Sequence, residues 1–385
     1  MRIICAPDSF KESMTALEAS AAMARGVHRV DPTAECVQLP MADGGEGTCR
    51  TLVAALGGEL RTAAVHDGLG RPIIAEFGMV SSDRMAIIEV AAACGLELLT
   101  PHERNPLLTT TRGVGELVRA SLDAGARHLV IGLGGTATND AGAGLLSALG
   151  VRFLDSSGAE LPAGGAALLD LDEVRFDGID QRLRGCQIEI ACDVTNPLLG
   201  EAGASAVFGP QKGAGHDDLA LLDRALTHWA DVVEAATGVR TRNRAGAGAG
   251  GGLGAAFLTS TSADLVPGVD LVMRSVRFDE QAADADYVFT GEGSVDAQSR
   301  AGKVPWGVAK AAGRLGVSTV VFGGRVDDAV ATETHGPVLA YVPIVRGITD
   351  LPTALRNGQA NLELATAMAS QLLLAGPRSR RNFAA

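Results

Sequence analysis

Ile3-Ile4-Cys5-Ala6, followed at once by Pro7-Asp8-Ser9-Phe10-Lys11, is the stretch on which the fold turns. Four apolar residues closed off by a proline and a polar loop are too short for a helix and read as a buried strand. Residues 16–30 then carry a helical pattern that stops near Asp31-Pro32, and Glu35 to Leu39 reads as the next strand. Buried strands alternating with helices are the pattern of a parallel sheet. The alternation resumes downstream with helix 114–124, strand 128–132, helix 142–149, strand 151–154 and strand 187–192. Helices at 217–237 and 250–258 follow, then strand 287–290, helix 304–315, strands 317–322 and 338–344, and helix 353–375. Between 59 and 90 the texture changes. His66-Asp67-Gly68-Leu69-Gly70-Arg71-Pro72 and the run Ile73 to Val80 suggest antiparallel hairpins, which puts a domain boundary near residue 59. The expectation is an α/β protein in which residues 1–58 and 280–385 join into one Rossmann-like parallel-sheet domain, with 59–279 inserted as a second.

Length and composition agree with two domains, since 385 residues exceed what one core usually spans. The chain carries 45 acidic against 33 basic side chains, a net charge of −12, which argues against nucleic acid as a partner. Its longest uncharged stretch, Ala245 to Ala263, holds six glycines and Thr259-Ser260-Thr261-Ser262, too polar for a bilayer helix. The N-terminus lacks the apolar core of a signal peptide, and the tail Pro377 to Arg381 is expected to fray. Cysteines 5, 36, 49, 94, 186 and 192 form no C-x-x-C pair and read as free thiols of a reducing, cytoplasmic compartment. Histidines 28, 66, 102, 128, 216, 228 and 335 show no metal-ligand spacing and read as structural or surface residues. A homodimer is compatible with this composition.

Glycine is in surplus, 49 residues where average usage gives roughly 27. The surplus clusters where strands should end: Ala42-Asp43-Gly44-Gly45-Glu46-Gly47-Thr48, Gly132-Leu133-Gly134-Gly135-Thr136-Ala137-Thr138-Asn139-Asp140, and Thr290-Gly291-Glu292-Gly293-Ser294-Val295-Asp296. Ligand crevices in α/β sheets lie beyond the carboxyl ends of strands, where glycine lets backbone N–H groups approach an anion. The 33 basic residues include only four lysines, at 11, 212, 303 and 310, and the first three stand in polar or glycine-rich loops, as phosphate-contacting ammonium groups often do. Carboxylates recur in the same loops: Asp8, Asp43, Glu46, Asp140, Asp193, Glu292 and Asp296. Such a set suits Mg²⁺-assisted phosphoryl transfer, although Asp43 and Asp140 fit helix capping equally well. Asp193 ends the apolar strand Ile188 to Cys192 and, with Asn196, is placed to project into a crevice. The glycine run from Gly246 to Gly254 reads as a loop that meets a ligand backbone-first.

A rival reading rests on the second cluster. Gly132-x-Gly134-x-x-Ala137 follows a strand, precedes a helix, and is followed by Asp155 at the end of the next strand, which together approach the dinucleotide fingerprint of an NAD-dependent hydroxy-acid oxidoreductase. A P-loop is absent, since no G-x-x-x-x-G-K-[ST] occurs, and no G-x-S-x-G marks a serine nucleophile.

Taken together the motifs resemble the type I glycerate kinase family over residues 2 to about 375. The matching segments are Ala6 to Ser13, Ala42 to Thr48, Thr111 to Leu117, Ile131 to Gly144, Ala191 to Leu198, Phe208 to Ala214, Thr290 to Ser299 and Gly302 to Ala309. Ser294 stands where many relatives place arginine, and Ala141 where glycine is common. The resemblance implies a kinase that uses ATP and Mg²⁺ to phosphorylate D-glycerate, in bacterial relatives mostly at the 2-hydroxyl. It also implies one flavodoxin-like domain and one inserted mixed-sheet domain with a restriction-enzyme-like core, facing each other across a cleft. On this reading Asp193 is the expected general base and Lys11 its catalytic partner. Ser9, Asp8, Asn139, Asn196 and Lys212 would hold substrate, with Lys11 and Lys212 stabilising charge on the transferring phosphoryl. Gly134, Gly135, Thr136, Gly291, Gly293 and Lys303 would hold ATP, and Asp43, Glu292 and Asp296 the metal.

Overall fold

The computed structural model describes residues 1–296, 303–331 and 336–375. The expectations for Gly302, His335 and the tail from Pro377 lie outside the described residues. The chain runs through β1 (Arg2–Cys5), α1 (Ala16–His28), β2 (Glu35–Gln38), α2 (Thr48–Ala55), β3 (Glu59–His66), β4 (Pro72–Val80), β5 (Met85–Glu89), α3 (Ala91–Cys94) and α4 (Arg112–Asp123). It continues with β6 (His128–Gly132), α5 (Ala143–Ala148), β7 (Arg152–Leu154), β8 (Glu173–Arg175), β9 (Gln187–Ala191), α6 (Ala204–Phe208), α7 (His216–Thr237), α8 (Ala249–Ser260) and β10 (Asp264–Val266). The last part comprises α9 (Gly268–Ser275), α10 (Phe278–Ala282), β11 (Tyr287–Val295), α11 (Val304–Arg314), β12 (Ser318–Val326), α12 (Asp328–Ala331), β13 (Val338–Pro343), α13 (Leu351–Arg356) and α14 (Gly358–Ala375). Two compact units result. One comprises Met1–Asp43, Ala54–Leu56 and the chain from Val269 onward; the other comprises Gly44–Val53 and Gly57–Gly268.

In the first unit five parallel strands form one sheet in the order β13-β12-β11-β1-β2, with Ile3 of β1 opposite Tyr287 of β11 and Cys36 of β2. Counted within this unit the order is 2-1-3-4-5, the doubly wound arrangement whose switch point falls between β1 and β11. α1 starts on a capping box, in which the Thr15 hydroxyl accepts the Glu18 N–H and the Glu18 carboxylate accepts the Thr15 N–H. It packs on α14 so closely that a Cβ on Gly26 would stand 2.3 Å from the Glu363 carbonyl oxygen. Phe289 and Phe322 meet edge to face in the core, with ring centroids 5.4 Å apart. The single helix expected over 353–375 is broken at Asn357. The Ser13 hydroxyl donates to the Leu355 carbonyl at 2.7 Å, and a Cβ on Gly358 would stand 2.0 Å from the Ser13 oxygen, so α13 and α14 meet around that side chain.

The second unit holds a six-stranded mixed sheet in the order β10-β9-β6-β5-β4-β3. The β3–β4 and β4–β5 pairs are antiparallel, as the glycine-punctuated texture suggests, and β5–β6, β6–β9 and β9–β10 are parallel. α2 belongs here through Val53, because the Cys49 N–H donates to the Glu89 carboxylate at 2.7 Å and Val53 fills the space beside Gly78. α7 buries Leu222, Leu226, Trp229 and Val233 along one stripe. The strand expected at 151–154 does not join the sheet. It pairs with β8 as a separate antiparallel ribbon.

Candidate active site

In the first unit the chain leaving β1 stays tied to β11, with the Ala6 N–H on the Phe289 carbonyl at 2.7 Å and the Asp8 N–H on the Gly291 carbonyl at 2.9 Å. Asp8 and Glu292 thus stand at the switch point itself, where neighbouring crossovers run to opposite faces and leave a crevice. Asp8 is half-buried and accepts the Ser9 N–H at 2.6 Å. Burial first, then the negative charges of Asp43 and Glu292, push its carboxyl up to about 7, against the pull of the Ser9 N–H and Lys11. Glu292, 7% exposed, is paired with the Lys303 ammonium at 3.4 Å. Lys303 precedes α11, while Lys11 and Asp43 are exposed. The two glycines of β11 differ. A Cβ on Gly291 would stand 2.3 Å from the Phe322 carbonyl oxygen, so sheet packing demands glycine there; the space beside Gly293 would admit a Cβ at 3.5 Å from the Lys11 nitrogen. Asp296 lies beyond the end of β11 beside Pro305, Trp306 and Tyr341, and is not among the charges that move Asp8.

These carboxylates are hard oxygen donors. The mutual repulsion among Asp8, Asp43 and Glu292 is the electrostatic condition that a divalent cation relieves, and Mg²⁺ takes only one or two carboxylates beside water and phosphate oxygens. Asp43 and Glu292 therefore fit such an ion, although among the described residues no group of three or more His, Cys, Asp or Glu side chains is gathered into a ready-made site.

In the second unit the loops after β6 and β9 converge with Gly44 and Gly45. A Cβ on Gly132 would stand 2.4 Å from the Gly44 carbonyl oxygen, one on Gly44 would stand 2.4 Å from the Ala191 Cβ, and one on Gly134 would stand 3.5 Å from the Gly45 Cα. Gly134 and Gly135 are exposed, with Gly135 at φ +73°. Behind them the loop is wired to protein: the Gly135 carbonyl accepts from Leu96, the Ala137 N–H donates to Cys94, and the Ala137 carbonyl accepts from the Thr109 hydroxyl. Asn139 is fully buried, its amide donating to Ser205 at 3.0 Å while its Oδ1 lacks a protein partner. Asp140 is no open cap. At 1% exposure it accepts the N–H groups of Thr111, Gly142 and Gly144 and the Thr111 hydroxyl, and burial holds its carboxyl above the ordinary value.

Asp193 is exposed just past β9, and its Oδ1 accepts the Gly268 N–H at 2.9 Å. Asn196, expected to project beside it, instead donates its amide to the Ala202 carbonyl at 2.8 Å. Lys212 reads in the sequence as a loop lysine open to a ligand, yet it is 2% exposed and donates to the Thr136 hydroxyl at 3.1 Å and the Thr138 carbonyl at 2.7 Å. The glycine run is likewise turned inward. Gly250, Gly251 and Gly252 all have positive φ, and a Cβ on Gly251 would stand 2.0 Å from the Thr138 carbonyl oxygen, so the run packs against the 138–141 loop rather than meeting a ligand. Sequence reasoning missed Gly268, Cys94 and Ser205 as supports of the site. Their partners lie tens of residues away, and no local motif announces them.

The oxidoreductase alternative fails on topology. Asp155 does not end a strand of the parallel sheet; it follows β7 of the two-stranded ribbon and closes a turn with Ser157 and Ala159. α5 begins only at Ala143, six residues past the fingerprint, so the helix that follows does not start at Gly134.

A profile described as the Glycerate kinase family matches residues 3–374. Glycerate kinase from Bacillus subtilis is 49% identical over 364 residues, covering 94% of this chain and 95% of its own. Glycerate 2-kinase from Escherichia coli is 41% identical over 380 residues, covering 98% and 100%. A crystal structure from Salmonella typhimurium, assigned as glycerate kinase 2, superposes with a TM-score of 0.90 at 42% identity, over 98% of this chain and 99% of that one. With two α/β units carrying carboxylate- and lysine-bearing loops at strand ends, and relatives matched along their whole length, this chain belongs to the glycerate kinase family and is a kinase acting on a small molecule.

Proposed function

We propose that the enzyme transfers the γ-phosphoryl group of ATP to the 2-hydroxyl of D-glycerate, yielding 2-phosphoglycerate and ADP, in the cytoplasm and with Mg²⁺. The observation that carries the chemistry is the exposed Asp193 carboxylate, oriented by the N–H of Gly268, which packs against Gly44. The E. coli relative's being a glycerate 2-kinase supports the 2-hydroxyl, and six free thiols support a reducing compartment.

Asp193 accepts the hydroxyl proton as the oxygen attacks, and its bond to the Gly268 N–H fixes the orientation of the carboxylate. In the second unit the Gly134 and Gly135 amides, on a loop that Thr136 shapes, hold nucleotide phosphates; in the first unit the Gly293 amide and Lys303 serve as phosphate contacts, with Gly291 shaping β11. Lys11 supplies a compact positive charge to the transferring phosphoryl. Ser9 and Asp8 position the glycerate, whereas Asn139 and Asn196, whose amides are held by Ser205 and by the Ala202 carbonyl, shape the loops of the second unit. Asp43 and Glu292, with Asp296 nearby in sequence, would hold Mg²⁺, which when bound neutralises charge on the phosphate oxygens.

The test is ADP release from ATP with D-glycerate, followed by enolase without a mutase. Phosphoenolpyruvate forms directly from 2-phosphoglycerate; ADP release without it would overturn the 2-hydroxyl assignment, and no glycerate-dependent ADP release would overturn the reaction. Activity lost in EDTA and restored by added Mg²⁺ checks the metal.

A further inference from the structure

We propose that Lys212 is a positioning residue: its buried ammonium holds the Thr136–Asp140 segment in the shape that presents Gly134 and Gly135 to phosphate, and it does not touch the transferring group. This rests on the reading of that loop as the nucleotide site. One Nζ spans the loop by donating to the Thr136 hydroxyl and to the Thr138 carbonyl, two residues apart. The same segment is anchored from every other side, by Cys94 and Thr109 on Ala137, by Ser205 on Asn139, and by Thr111, Gly142 and Gly144 on Asp140. Gly251 lacks a side chain where one would strike the Thr138 carbonyl, which leaves that oxygen accessible to the lysine.

The electrostatics support the geometry. Burial pushes the Lys212 ammonium down to about 8, against the pull of the buried Asp140, so it is charged at neutral pH without solvent. A buried cation is costly, and removing it alone leaves the Thr138 carbonyl and the buried Asp140 without that partner. What the cation adds is directional: two charge-assisted bonds that select one loop conformation. A guanidinium, planar and wider, does not match two acceptors set two residues apart, which accounts for lysine in a chain that otherwise prefers arginine.

Lys212→Met removes the charge at nearly constant shape, and Thr136→Val removes one acceptor while keeping the ammonium. The readouts are amide hydrogen exchange of residues 133–139 in the ligand-free protein, and kcat and KM for ATP. We expect faster exchange, a rise of about 10-fold or more in KM for ATP and a smaller fall in kcat for Lys212→Met. Thr136→Val should move the same quantities less, and the double variant should be no worse than Lys212→Met alone. A loss of ~10³-fold in kcat with exchange and KM unchanged would mean that Lys212 touches the phosphoryl, and wild-type values throughout would make it a bystander; either overturns the proposal. If Lys212→Met does not fold, unchanged exchange and KM in Thr136→Val overturn it. Absence of kinase activity in the wild type would remove the nucleotide reading, while exchange still reports whether the lysine orders the loop.

Discussion

The Asp193 carboxylate accepts the backbone N–H of Gly268 at 2.9 Å, a bond between the loops that leave two adjacent parallel strands, β9 and β10. The Cys192 N–H on the Val266 carbonyl continues the ladder up to this point, so the carboxylate is aimed by main chain rather than by a mobile side chain. Asp193→Asn keeps an oxygen for the Gly268 N–H but cannot accept a proton. It should lower kcat by ~10²-fold or more while leaving the melting temperature unchanged. Near-normal turnover would move the base elsewhere.

Asp8 makes stability depend on pH with a definite sign. Its carboxyl is raised from 3.8 to about 7 in the fold, so between those values the folded chain holds a proton that the unfolded chain releases. The stability it contributes is therefore complete below pH 4 and is lost as pH rises through 7. Asp8→Asn removes this dependence. In EDTA at pH 8 the variant should be more stable than the wild type by about 1–2 kcal/mol, and the difference should close as pH falls toward 4. Melting curves at the two pH values decide it; a gap independent of pH would contradict the burial and repulsion assigned to Asp8.

Gly252 and Ala141 pack against each other with positive φ, +97° and +51°. A Cβ on Gly252 would stand 2.6 Å from the Ala141 Cα. Gly252→Ala should destabilise the second unit by roughly 3 kcal/mol or more, through backbone strain and overpacking together. Ala141→Gly should be close to neutral. Relief of a left-handed alanine, about 1 kcal/mol, offsets the loss of one buried methyl, about 0.8 kcal/mol. Denaturant unfolding of both variants separates the two effects.

Lys11 is exposed beside the Asp8 loop, near enough to lower the Asp8 carboxyl. Lys11→Arg preserves the charge and changes its shape. If a compact ammonium meets the transferring phosphoryl, kcat should fall by about 10-fold or more, with no change in melting temperature. An unchanged rate would make Lys11 a solvated residue only.

Much of the fold was legible in the sequence, because the apolar runs at β1, β6 and β9 and the helical stripe of α7 are local patterns that burial simply completes. The short strands β8 and β10 were not legible, since three residues carry no period, and the break between α13 and α14 depends on Ser13, more than 340 residues away in the chain. At the candidate site the loops themselves were legible from glycine, aspartate and lysine, but the task of each residue was not. Gly291 and Gly251 serve close packing, whereas Gly134, Gly135 and Gly293 leave backbone open. A missing Cβ looks the same in both cases.

By itself the sequence determined that this is an α/β protein with glycine-rich loops at strand ends, because strand and helix periods and turn residues act over a few neighbours. Only the tertiary structure decided that Lys212 and Asp140 are buried supports while Asp193 remains at the surface. Exposure and electrostatic environment are set by residues distant along the chain, and the cost of burying a charge depends on the partners that the fold supplies.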